Sequence, residues 1–311
     1  MKYISTLREG ERINEIFLCK SKQTAMTKSG KPYDNVILQD KTGTLDAKIW
    51  DVGSVGIEEF DAMDYIAITG DITSFQGNLQ FLSYLLSSAY QQSVNYLPVS
   101  DKDVEVMYKE LMGFIGSVKN QYLSQLLHSF FDNKEFERRF KFHSAAKSVH
   151  HGFVGGLLEH TLGVTKNCDY FAKMYPVLNR DLLLTAAIFH DIGKLKELST
   201  FPENDYTDAG QLLGHIMIGA EWVGDAIKSI DGFPVVLANE LKHCILAHHG
   251  ELEFGSPKKP ALVEALALSF ADNIDAKMET FRELLVNVPE NDTKWQGYNR
   301  FMETNFRRTS V

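Results

Sequence analysis

The chain has 311 residues, a formal charge of −9 from 32 basic and 41 acidic side chains, and 44% hydrophobic content; that length suggests about two domains of roughly 100–200 residues, and that composition excludes wholesale disorder. No apolar run is long enough to span a bilayer, the N-terminus Met1-Lys2-Tyr3-Ile4-Ser5 carries no secretory signal, and three scattered cysteines form no CxxC pair, so a cytoplasmic protein with no membrane partner and no disulfide or thiolate-zinc scaffold is expected. An acidic total also excludes a generic basic protein that coats nucleic acid, since phosphate binding is carried by Lys and Arg.

In chain order, residues 12–90 read as β. Apolar residues alternate in Val36-Ile37-Leu38 and Leu45-Asp46-Ala47-Lys48-Ile49-Trp50, and Tyr65-Ile66-Ala67-Ile68-Thr69 has the pattern of a buried strand. Turn residues at Ser29-Gly30-Lys31-Pro32, Thr42-Gly43 and Gln76-Gly77-Asn78 divide the region into five strands near 13–26, 33–40, 44–50, 65–74 and 78–86, with a short helix expected over Ile57–Met63. Five strands with an insertion before the fourth is the plan of an OB-fold, a small barrel suited to holding oligonucleotides. From Arg12 to Lys31, five basic residues (Arg12, Lys20, Lys22, Lys28, Lys31) face one acid, Glu15, which makes this stretch a candidate phosphate contact. Tyr33, Trp50, Phe75 and Phe81 lie in the same module; Phe75, beside the Gly77-Asn78 turn, is the preferred base-stacking candidate, ahead of Trp50.

Near Tyr96-Leu97-Pro98-Val99 the period becomes helical and stays so to about residue 305, with Ser100-Asp101-Lys102-Asp103 as the first capping signal. All ten histidines fall in this half, nine of them between His143 and His249. The densest signal is Phe189-His190-Asp191-Ile192-Gly193-Lys194, where a histidine and an aspartate end an apolar helix. His160, His215, the pair His248-His249 and Asp272 each sit in or beside another apolar helical segment. One buried histidine is usually a satisfied core residue. A whole set spread over separate helices is costly to bury without a shared partner. Imidazole and carboxylate donors without thiolate suit Mn²⁺, Fe²⁺ or Zn²⁺ and disfavour a structural zinc site.

The order His160, His190-Asp191, Lys194, His215, His248-His249, Asp272 resembles the HD superfamily of metal-dependent phosphohydrolases in its two-metal form. With the OB module in front, the whole chain resembles the YhaM-type 3′-5′ exoribonucleases, as do the segments Gly155-Gly156-Leu157-Leu158-Glu159-His160-Thr161 and His248-His249-Gly250-Glu251 with Gly255-Ser256-Pro257. The resemblance implies a multi-domain α and β protein: an OB-fold barrel over 1–92, a linker and helical connection over 93–142, and an all-α HD domain over 143–311. It implies Asp191 as the bridge between two divalent ions, Mn²⁺ first and Fe²⁺, Zn²⁺ or Mg²⁺ as alternatives, with His160, His190 and Asp272 completing one site and His215, His248 and His249 the other. Lys194 would place an ammonium on the scissile phosphate.

His150 and His151 are candidates for substrate contact, and Lys258 and Lys259 for steering phosphates; His128, His143 and His243 read as structural. The expected activity is exonuclease cleavage of single-stranded RNA from its 3′ end, with single-stranded DNA as a second substrate, in a homo-oligomer. An HD nucleotidase or cyclic-nucleotide phosphodiesterase, and a single-strand-binding replication factor, stay open beside it.

Overall fold

Alternating apolar residues build β1 (Arg12–Met26), β2 (Pro32–Asp40), β3 (Gly43–Trp50), β4 (Tyr65–Phe75) and β5 (Asn78–Ser88). The computed structural model describes residues 2–27, 29–50, 52, 56–75, 78–88, 97–147, 151–286, 288–300 and 302–310, without the side chains of Phe75 and 83–88. Lys28, His150 and the Phe75 side chain therefore lie outside the described residues.

The five strands close into a barrel in the order β1-β2-β3-β5-β4. All pairs are antiparallel except β3 with β5, which is the OB topology. Register shifts at Cys19/Ser21 and Thr69/Gly70 mark irregularities in the ladder, the bends by which long strands turn the corners of a small barrel. Phe17, Val36, Leu38, Ile49, Ile66, Ile68, Ile72 and Phe81 fill the interior. The helix expected over Ile57–Met63 does not form. A single turn or two repays little of its nucleation cost; instead Phe60 is buried, its carbonyl receives the Lys22 ammonium at 2.8 Å, and Met63 takes a left-handed conformation.

The chain divides into two units, residues 1–99 with 200–204 and residues 100–199 with 205–311. The second is helical: α1 (Val104–Gly116), α2 (Gln121–Phe131), α3 (Lys134–Phe142), α4 (Gly156–Met174), α5 (Arg180–Phe189), α6 (Lys194–Glu197), α7 (Asp208–Lys228), α8 (Val235–Leu246) and α9 (Val263–Val286). Side-chain oxygens of Asp103, Asn120, Asn133, Asn179 and Thr207 cap α1, α2, α3, α5 and α7, each cap contributing about 1 kcal/mol. The sequence periodicity predicts helix as far as 305, but α9 ends at Val286, Pro289 bars its continuation, and two-residue strands Tyr298–Asn299 and Thr304–Asn305 pair beyond it. Residues of α1 to α3 share one apolar core with the later helices. At its centre α5, buried from Leu182 through Phe189, packs against α4, α8 and α9. A helix apolar all round belongs inside a core, and the residues just past its C-terminus are delivered into that core. Among the described residues, no helix is long and apolar enough to cross a membrane.

Candidate metal centre

The chain leaves α5 through His190 and Asp191. Both are buried, at 0% and 2% exposure. The His190 Nδ1–H donates to the Ala187 carbonyl at 2.7 Å, which turns Nε2 inward. His160 arrives from α4 with its Nε2 3.2 Å from that of His190. Asp272 of α9 lies 3.1 Å from His160 Nε2 and 3.9 Å from His190 Nε2 through Oδ1. Asp191 Oδ2 is 3.4 Å from both imidazole nitrogens. One trio, His160, His190 and Asp272, thus converges on one oxygen of Asp191.

The second trio converges on the other oxygen. Within α7, Gly214 adopts φ 72 and ψ 158, a break that a side chain would strain, and the kink swings His215 back toward α6. His215 Nε2 stands 3.4 Å from Asp191 Oδ1. His248 lies just beyond α8; its Nδ1–H donates to the Ile245 carbonyl at 2.7 Å, and its Nε2 is 3.7 Å from the same Oδ1. The donor atoms of His215, His248 and His249 lie within 4.8 Å of one another, as do those of His160, His190 and Asp272.

Three polar atoms on this side lack partners. Asp191 Oδ1, His215 Nε2 and His248 Nε2 are buried with no hydrogen-bond partner among the described residues. Because the Nδ1 of each histidine donates elsewhere, both Nε2 atoms are lone-pair acceptors facing a third acceptor. Such an arrangement is unfavourable in a low-dielectric interior unless a cation lies between them. The residues present therefore fit a divalent cation on each side of Asp191.

Two carboxylates that sequence reading missed stand behind the histidines. Asp275 Oδ2 accepts His160 Nδ1–H at 2.7 Å and His151 Nε2–H at 3.1 Å. Glu197 Oε1 accepts both the His215 Nδ1–H at 3.0 Å and the His215 backbone N–H at 2.9 Å. The sequence does carry a faint signal for Asp275, one helical turn after Asp272 and so on the same face; Glu197 has none, because the Gly214 kink makes the contact. Burial opposes the charge on His160, but Asp191, Asp272 and Asp275 outweigh it and raise its pKa well above the ordinary imidazole value, so a cation taken up among these carboxylates would displace a proton from His160 Nε2. For His190 and His248 burial prevails and lowers the pKa, keeping them neutral and able to ligate. Burial also works against ionised Asp191, yet the Lys194 ammonium beside it holds its pKa well below the carboxylate range.

Lys194, at the start of α6, has its Nζ 2.7 Å from Asp191 Oδ2. His151 is buried and engaged with Asp275; together with Glu159 and Glu279 it forms a further cluster of potential ligands, but Lys102 and Ser100 hold Glu159, and Arg282 holds Glu279. Lys259 pairs with Glu251 at 2.6 Å, and Lys258 is exposed. In the barrel Lys20 is exposed, as is Lys31 in the β1–β2 turn, while Lys22 lies 3.4 Å from buried Asp34 and over the Phe60 ring. Trp50, ranked below Phe75 from sequence, is 41% exposed and stacks on Tyr33 at 4.7 Å between centroids. His128, His143 and His243 bond to Asp132, to the Ser144 and Leu198 carbonyls, and to the Ala261 N–H.

A family model described as HD domain matches residues 157–277. Among solved structures, the second OB-fold domain of replication protein A from Methanococcus maripaludis is 19% identical, spanning 29% of this chain and 96% of that one with a TM-score of 0.23. Curated relatives extend over both units. The 3′-5′ exoribonuclease YhaM of Geobacillus sp. (strain WCH70) is 33% identical over 285 residues, 90% of this chain and 86% of that protein. The 3′-5′ exoribonuclease YhaM of Bacillus subtilis (strain 168) is 34% identical over 285 residues, 90% and 89% of the two chains. With that identity over 86–90% of its length, the chain belongs to the YhaM family of 3′-5′ exoribonucleases.

Proposed function

We propose that this chain removes nucleotides from the 3′ end of single-stranded RNA, using two divalent cations that share Asp191. The RNA substrate and the 3′ polarity rest on family membership. The observation that carries the paired-cation reading is the split of one carboxylate, Oδ2 toward His160 and His190, Oδ1 toward His215 and His248. His160, His190 and Asp272 would hold one ion, and His215, His248 and His249 the other. Bound there, the ions supply Lewis acidity and a lowered pKa for the attacking water. A mixed nitrogen and oxygen donor set supports Mn²⁺, with Fe²⁺, Zn²⁺ and Mg²⁺ as alternatives.

Asp191, fixed by the end of α5, sets the spacing of the two halves. Lys194, its ammonium already held beside Asp191, is placed to meet a non-bridging oxygen of the scissile phosphate and offset its growing charge. In the barrel, the exposed Tyr33–Trp50 stack offers bases a flat apolar surface. Stacking reads no 2′-hydroxyl, which supports single-stranded DNA as a second substrate.

Incubating 5′-labelled and 3′-labelled oligoribonucleotides with Mn²⁺, Mg²⁺ and Zn²⁺ in turn tests the reading. A ladder shortening from the 3′ end with Mn²⁺ is expected, and Asp191→Ala should abolish it while RNA binding survives. Full activity in that variant, or turnover of mononucleotides alone, would sink the proposal.

The acting form is a homo-oligomer. Tyr175, just past α4, and Val263, Leu266, Phe270 and Ile274 of α9, each 40–58% exposed, line an apolar groove of about 390 Å³. A contiguous patch of that kind supports an interface, and a two-fold pairing would set ridge into groove on both copies. Sedimentation of the chain as a monomer at micromolar concentration would exclude it. Three buried free thiols support a reducing, cytoplasmic setting.

A further inference from the structure

We infer that Asp275 is a positioning residue, fixing His160 as a ligand of one cation only, and that Gly163 is glycine to make room for it. The inference rests on the paired-cation reading above.

Asp275 lies one turn beyond Asp272 on α9, so both carboxylates approach α4 from the same side. Its Oδ2 takes N–H groups from His160 at 2.7 Å and His151 at 3.1 Å. The proton on His160 is thereby kept at Nδ1, and the Nε2 lone pair faces His190 and Asp272. A carboxylate behind a ligating imidazole both orients the ring and strengthens it as a donor.

The other oxygen of Asp275 lies against α4 at Gly163, one turn beyond His160. A Cβ at Gly163 would sit 2.0 Å from Asp275 Oδ1, and the three nearest atoms it would meet all belong to Asp275. Residue 163 is only half-buried and lies inside a 19-residue helix, where helix propensity favours alanine. This carboxylate is the nearest obstacle to a side chain there. On the opposite side of Asp191, Glu197 backs His215 in the same manner. The remaining ligands His190, His248 and His249 lean on backbone carbonyls. Each trio thus has one carboxylate-backed histidine, and the backing carboxylates share no residue, so the trios can be weakened one at a time.

Mn²⁺ titrations of the full chain by calorimetry test this on wild type, Gly163→Ala and Asp275→Asn, with circular dichroism as the folding control. Both variants should lose 10- to 100-fold in affinity at one of two sites and keep the other. The double variant should fall no further than Asp275→Asn, because both substitutions act on the same contact. Glu197→Gln should weaken the complementary site. A plain helix effect predicts instead that Gly163→Ala melts higher and binds Mn²⁺ as wild type does, and that result overturns the inference. A wild-type stoichiometry below two overturns the paired-cation reading; the inference then stands if Gly163→Ala weakens the remaining ion and falls if it does not.

Discussion

The barrel and the helical unit treat their polar groups in opposite ways. In the barrel most are consumed locally: Lys22 is taken by Asp34 and the Phe60 carbonyl, and Thr24 bonds the other oxygen of Asp34, while Asn35 Oδ1 is buried without a hydrogen-bond partner among the described residues. What the barrel offers outward is an aromatic stack and the exposed Lys20 and Lys31. In the helical unit, imidazoles and carboxylates from five segments are driven into the core and left facing one another, and Asp191 Oδ1, His215 Nε2 and His248 Nε2 have no hydrogen-bond partner among the described residues. Burial without satisfaction is expensive. The difference fits the division of labour proposed above: bond cleavage where imidazoles and carboxylates converge unsatisfied, strand recognition where an aromatic ring stays exposed.

Lys194→Ala gives the largest expected effect on that division. Removing the ammonium beside Asp191 should lower kcat by on the order of 10²–10³-fold, the loss typical of one preorganised group acting on developing charge. KM for a long RNA should move less than about twofold, because the stacking surface is untouched. Steady-state kinetics on a labelled oligonucleotide decide it, and an equal loss in KM would mean that the helical unit also does much of the holding.

The two units are not equally legible in the sequence. His190-Asp191 can be read because α5 is apolar along its whole length and its end has nowhere to go but the core. His160, His215, His248 and Asp272 can be read as companions because each interrupts another apolar helix. Asp275 and Glu197 cannot, since a carboxylate that binds a ligand's far nitrogen leaves no pattern, and the Glu197 contact depends on a kink at Gly214. The five strands emerge from alternation to within a residue or two, whereas the segment at Ile57–Met63 does not, being anchored by Phe60 and Lys22 from distant sequence. Basic residues in the barrel mislead for a similar reason: Lys22 counts as positive charge in the sequence but is spent on Asp34 in the fold.

Trp50→Ala sharpens the comparison from the other side, at intermediate size. One base stacked on one ring contributes about 1–3 kcal/mol, so KM for single-stranded RNA should rise on the order of tenfold with kcat nearly unchanged. Hydrolysis of a small phosphodiester that carries no second base to stack should be unaffected. Loss on both substrates would show that the stack supports the barrel rather than the strand.

The smallest effects separate two lysines of one strand. Lys20 is exposed on β1, and Lys20→Ala should weaken RNA binding a few-fold and reduce the salt slope by about 1, as for one phosphate contact. Lys22→Ala should act on the fold. It strips the ion pair from Asp34, whose carboxylate is fully buried, and an uncompensated buried group costs about 1–3 kcal/mol. Denaturant unfolding should therefore register Lys22→Ala and not Lys20→Ala, and salt titrations of RNA binding the reverse. If both variants change only the salt slope, Lys22 leaves Asp34 to meet phosphate, and the barrel's charges are less settled than their contacts suggest.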